Sequence, residues 1–212
     1  MLETFNRDEF LRLLILKSTT FDQRVLMGQA ALALGCQKPA HTGEYLVLDA
    51  VAMLLVSMLN WLGVELKPAA DAVREHWEGW LELVTRVERA PLPDNAELFF
   101  CVAGVLSLDS GLVSDRVEMG EHHEIAAAFA GESTYRPAFV SIHRVLHQLR
   151  INAQHANVAL PDRLTIARGE PGYKNWRREI DAYRARAEAR AEAKAKGRGA
   201  ARTPASKQLL KV

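Results

Sequence analysis

Cysteine is nearly absent from this sequence of 212 residues, which carries only Cys36 and Cys101. They stand 65 positions apart and outside any CxxC or Cys/His spacing, which excludes a disulfide framework and a zinc knuckle and fits a reducing cytoplasm. The first residues, Met1 to Arg7, lack the basic-then-apolar pattern and small-residue cleavage site of a secretion signal, so no export is expected. Catalytic signatures are missing too: there is no GxSxG, P-loop, GxGxxG or HExxH, and the Ser and Asp residues between Ser107 and Asp115 have no base at a telling offset. No enzyme is expected, no catalytic residue is assigned, and no cofactor is called for. Uninterrupted apolar runs are also scarce. The longest candidate, Tyr45 to Val64, carries Asp49 and Asn60, polar groups too costly for a bilayer core, so a buried helix rather than a membrane span is expected.

What is present is enough apolar residue, 49% of the chain, to build a core. The net charge of +1 hides an asymmetry. Residues 1–160 hold 13 Lys and Arg against 20 Asp and Glu, whereas residues 161–212 hold 14 against 6. Such a split points to a basic arm for a polyanion, or to a tail that settles on the acidic body of its own or a partner chain.

The periodicity predicts a mainly α, α+β protein. Helical spacing runs from Arg7 to Gly35, interrupted at Lys17 to Thr20, and gives two short helices. Pro39 and Gly43 mark a loop or small hairpin over 36–44. An apolar helix follows from about Leu48 to Leu62, stopped by Gly63, and a further helix runs from about Lys67 to Arg89 before Pro91 and Pro93. Along that helix Val73, Trp77, Trp80, Val84 and Val87 are spaced 4, 3, 4, 3. This is either an amphipathic face lying on its own core or a dimerisation seam. Leu98 to Val105 reads as a buried strand and Gly111 to Glu118 as a second. Pro137 is expected to open a helix with Phe139, Ile142, Leu146, Leu149 and Ala153 on one face, and Val158 to Leu160 forms a short edge strand. A tail helix from Tyr173 to Lys196 bears an apolar stripe of Tyr173, Trp176, Ile180 and Tyr183. Gly197 and Gly199 are expected to end it, with disorder from there to Val212. Trp61, Trp77, Trp80 and Trp176 all fall at apolar helical positions and read as core or interface anchors. His143 and His147 stand four apart, with His122, His123 and Glu124 as conceivable co-ligands, but they flank an apolar stripe and no metal site is assigned.

Counting from Tyr45, an Asp at +4, apolar residues at +8, +11, +14 and +17, Gly63 at +18, apolar residues at +19 and +21, and Val73 at +28 form one pattern. It resembles the second half of the winged helix-turn-helix domain of the MerR family of transcription regulators. The resemblance implies a domain over 1–70, a linking or dimerisation helix over 71–90, a small α+β module over 97–168 and a basic helical tail over 169–212. It further implies a recognition helix over Thr20 to Gly28 that enters the major groove of double-stranded DNA with Thr20, Gln23 and Arg24, while Lys17, Ser18 and Thr19 reach phosphates. Lys38, His41 and Thr42 would lie on the wing, and Arg184, Arg186, Arg190, Lys194 and Lys196 would hold the backbone from the tail. A homodimer through Val73, Trp77, Trp80, Val84 and Val87 is implied, with RNA polymerase or another protein as a further partner. The chain departs from the family in having Asp22, Gln23 and Arg24 where an Arg and an aromatic pair are usual. Residues 1–90 also hold 9 basic against 12 acidic groups. The alternative is an adaptor or phage-type interaction factor that keeps the scaffold and grips protein.

Overall fold

The structure, a computed structural model, describes residues 2–36, 43–89, 97–106 and 113–200, with 113 and 194–200 as backbone only. A short strand β1 (Thr4–Asn6) leads into α1 (Arg7–Leu14) and α2 (Ser18–Leu26). Asn6 caps α1 by accepting from the Asp8 and Glu9 amides at 3.0 Å, and Glu9 takes the Asn6 amide in return, so both sides of a capping box are closed. The chain comes back as β2 (Glu44–Leu46), antiparallel to β1 with Phe5 opposite Tyr45, and passes directly into α3 (Val47–Trp61).

Helix α3 is the centre of the molecule. Val47 to Val56 are all buried, because α1, α4 (Leu66–Glu75), α7 (Ile142–Ala156) and the strand β5 (Ser133–Ser141) pack around it. Its all-round apolar sequence is thus a buried-helix pattern. Among the described residues no helix is long and apolar enough to cross a membrane. Gly63 closes the α3–α4 turn at φ +98°, where its amide donates to the Asn60 carbonyl, a left-handed position that favours glycine.

The helix expected over 67–89 is two. It breaks at His76 into α4 and α5 (Trp77–Arg89). The Val73 carbonyl, which would accept the Trp77 amide in an unbroken helix, is instead taken by the Trp80 indole N–H at 2.9 Å. The supposed dimer seam is also corrected. Val73, Trp77, Trp80 and Val84 are buried in the core of the same chain, with Val87 packed against it, so the stripe is an inward face.

Strands β3 (Leu98–Leu106), β4 (Val113–Glu121) and β5 form an antiparallel sheet in the order β4-β3-β5, with α6 (His122–Ala128) between β4 and β5. Pro137 lies in edge strand β5 rather than opening a helix. An edge strand tolerates a residue with no N–H to give, and the β3–β5 register shifts beside it, between Val102 and Gly104. Phe139 therefore belongs to the sheet, and the stripe of α7 begins at Ile142. Val158 to Leu160 form no strand.

The last helix, α8 (Tyr173–Ala200), passes through Gly197 instead of stopping there. Its stripe docks on the body of its own chain: Trp176, Ile180, Tyr183 and, one turn further than expected, Ala187 are buried. The core cluster is continuous from Phe5 to Ala187. Trp61 is the exception among the tryptophans, at 87% exposed.

Candidate functional site

The turn between α1 and α2 is built by Ile15, left-handed at φ +53°, and by the Leu16 amide reaching back to the Leu11 carbonyl at 3.0 Å. Helix α2 buries one side chain, Phe21. Its ring meets Phe10 and Tyr45 edge-on at 5.7 Å each, while Phe10 and Tyr45 stack at 4.2 Å. On the flank Arg7 ties α2 to α1: its guanidinium donates to Asp22 at 2.6 Å and Ser18 at 2.9 Å and lies over the Phe21 ring. Val25 packs at the edge of the core, and Ser18, Thr19, Asp22, Gln23 and Leu26 face outward.

Of the expected base-reading and phosphate residues, Lys17, Ser18, Thr19 and Gln23 are exposed and share this outward region, and Thr20 is half-buried beside them. Arg24 departs from the expectation. It is half-buried and donates to the Ser57 hydroxyl on α3 at 3.2 Å, and burial lowers its pKa from the ordinary value. The outward face ends in apolar residues, Leu26 (77% exposed) and Met27 (62%). Lys38, His41 and Thr42 lie outside the described residues.

Between α2 and β2 the chain is pinned by two buried ionisable groups. The Arg74 guanidinium, held by Asp71, donates to the Gly28 carbonyl at 3.0 Å and the Ala30 carbonyl at 2.7 Å. Asp49, fully buried at the start of α3, accepts the Ala33 amide at 2.5 Å, the Leu46 amide at 3.0 Å and the Tyr183 hydroxyl of α8 at 3.2 Å. Burial pushes its carboxyl up to about 7, against the downward pull of those donors. One carboxyl therefore joins the excursion after α2, the return strand and the tail helix. Asp49 stood out in the sequence as a polar residue inside an apolar run, but its partners did not.

The tail residues separate into two groups. Arg184 is committed to the body by lying over Trp77 at 4.9 Å, and it pairs with Glu188 one turn on along α8 at 3.1 Å. Arg177 approaches the same indole at 5.0 Å and pairs with Glu78 at 2.7 Å. Arg186 lies over the Tyr183 ring at 6.0 Å. Arg190 is exposed, beyond the last buried residue of α8, and the backbone carrying Lys194 and Lys196 continues the same helix. The arm starts after Ala187. Residues 188–212 hold 7 basic against 2 acidic groups.

The histidines do not converge. His122 stacks on Phe139 at 5.2 Å and His147 is exposed, and among the described residues no group of three or more His, Cys, Asp or Glu could hold a metal. No protein-family model matches the chain, and no curated protein matches it.

Proposed function

We propose that this protein is a DNA-binding regulator in which α2 enters the major groove and the basic arm after Ala187 holds the phosphate backbone. The observation that carries the reading is the way α2 is mounted: a helix behind a short turn, with Phe21 its one fully buried side chain and Lys17, Ser18, Thr19 and Gln23 presented to solvent. The order around it supports the same class. A helix pair, an excursion, a return strand and two supporting helices follow one another, as in a winged helix-turn-helix of the MerR type. Because α2 carries Asp22 against Arg24 and the body is acidic, most of the phosphate neutralisation falls to the arm.

Mobility-shift titration of full-length protein and of a form ending at Ala187, across a salt series, tests this. Full-length protein is expected to bind duplex DNA with a steep salt dependence, and the shortened form with a shallower slope. Gln23→Ala should relax sequence preference without changing that slope. Absence of binding by full-length protein at low salt refutes the reading.

A second reading, a protein-gripping factor on the same scaffold, is favoured by the apolar end of α2. Leu26 and Met27 are exposed there, as are Trp61 and Leu62 at the end of α3, and such side chains suit protein contacts better than base edges.

A further inference from the structure

A trough of about 980 Å³ runs between α1 and α7 and ends at the α1–α2 turn. Its walls are helical on both sides. Leu11, Ile15, Leu16 and Ile151 provide the apolar lining, and Asp8, Arg12, Lys17, Gln148 and His155 the polar one. The seam beneath is rigid: Asn152 donates to the Leu13 carbonyl at 2.7 Å and accepts from Gln148 at 2.7 Å, and Arg12 donates to the Ala156 carbonyl at 3.2 Å. The trough is therefore preformed, since prising α1 from α7 would break the Asn152–Leu13 and Arg12–Ala156 bonds that cross it. It is open along its length rather than enclosed, a shape suited to a row of side chains and not to a small molecule.

Ile15 is the telling residue. It is β-branched, held at φ +53° and ψ +40°, and 73% exposed. A left-handed β-branched residue is strained, and Ile15 recovers little of that strain by burial within this chain. Its side chain stands at the mouth of the trough, where an apolar occupant would cover it. The charged rim holds Arg12 and Lys17 against one carboxylate, Asp8, and so favours an occupant with acidic flanks.

We propose that this trough is the docking site for an amphipathic helix of a partner protein, an apolar stripe flanked by carboxylates, laid between α1 and α7 as a third helix. The stripe covers Ile15, Leu16 and Ile151, and the flanking carboxylates meet Arg12 and Lys17. The proposal goes beyond DNA recognition and does not depend on it.

The test uses full-length protein and two labelled synthetic peptides of about 18 residues, long enough for five helical turns. Both carry leucines at i, i+3, i+4 and i+7, one flanked by Glu and the other by Lys. Fluorescence anisotropy at low salt is expected to show the Glu-flanked peptide binding at least about tenfold more tightly. Lys17→Glu should remove most of that preference. Ile15→Glu and Ile151→Glu should weaken binding by about tenfold or more, with circular dichroism showing each variant folded. Ile15→Glu alone, at an exposed position, suffices if Ile151→Glu unfolds. Equal binding of the two peptides, binding by neither, or binding indifferent to Ile15→Glu overturns the proposal. So does concentration-dependent self-association of the unliganded protein that Ile15→Glu abolishes, which would assign the trough to a second copy.

Discussion

Replacing Asp49 by Asn tests whether a buried carboxyl sets the pH dependence of this fold. The folded carboxyl is raised from 3.8 to about 7, so between those values the folded state holds a proton that the unfolded chain releases. Its contribution to stability is therefore greatest below pH 3.8 and is lost as pH rises through 7. A shift of about three units corresponds to roughly 4 kcal/mol over the whole range, of which about 2–3 kcal/mol falls between pH 5 and 8. Asp49→Asn removes the titration. It also leaves one acceptor oxygen for the Ala33 and Leu46 amides, which now bond to different carboxylate oxygens, at a cost of about 1–3 kcal/mol. Urea unfolding followed by tryptophan fluorescence at pH 5, 6, 7 and 8 gives both effects. The variant should be less stable at pH 5, and the gap should narrow by about 2–3 kcal/mol towards pH 8. Parallel profiles would refute the reasoning, because Asp49 would then be ionised throughout.

Three further outcomes follow from the same contacts. Tyr183→Phe deletes a hydroxyl that favours the ionised carboxyl, so it should lower stability by about 1 kcal/mol at pH 8 and by less at pH 5; an equal loss at both would place the bond elsewhere. Phe21→Ala should cost about 3–5 kcal/mol and, by hydrogen exchange, release the amides of α2 ahead of those of α3. Uniform loss of protection would mean that α2 and α3 open as a single unit. Ile15→Asn puts a residue tolerant of the left-handed region at an exposed turn and should raise stability by about 1 kcal/mol in thermal unfolding. A decrease would show that Ile15 is buried more deeply than its 73% exposure implies.

The sequence makes some of these features legible and conceals others, for physical reasons. Helices α1, α2 and α3 and the Gly63 turn follow local rules of periodicity, capping and glycine conformation, and strand β3 follows from its apolar run. The α4–α5 break does not, because it depends on the Trp80 indole competing for a backbone carbonyl seven positions earlier. Strand β5 was disguised by Phe139, which continues the helical spacing of Ile142, Leu146 and Leu149 by coincidence. The stripe through Val73, Trp77, Trp80 and Val84 announced burial without saying against what, since a seam for a partner and a face for one's own core have the same composition. In the candidate site, the solvent face of α2 was readable from its polar residues. Arg24 turning to Ser57 was not, nor was the hub at Asp49, whose partners Ala33 and Tyr183 lie 16 and 134 positions away. The trough between α1 and α7 joins segments still more distant in sequence than any local pattern spans.

The docking of α8 on Trp77 and Asp49 has a consequence for biogenesis. Asp49 and Trp77 are synthesised early, but Tyr183, which bonds Asp49, and Arg177 and Arg184, which lie over Trp77, emerge only after the sheet and α7. At about 5–20 residues per second, the interval from Trp77 to Arg184 is roughly 5–20 s. During that time the growing chain carries an uncovered indole and an acid without its hydroxyl donor. Nascent chains stalled before Tyr173 should therefore be preferred clients for chaperones, and release from them should coincide with the emergence of Tyr183 and Arg184.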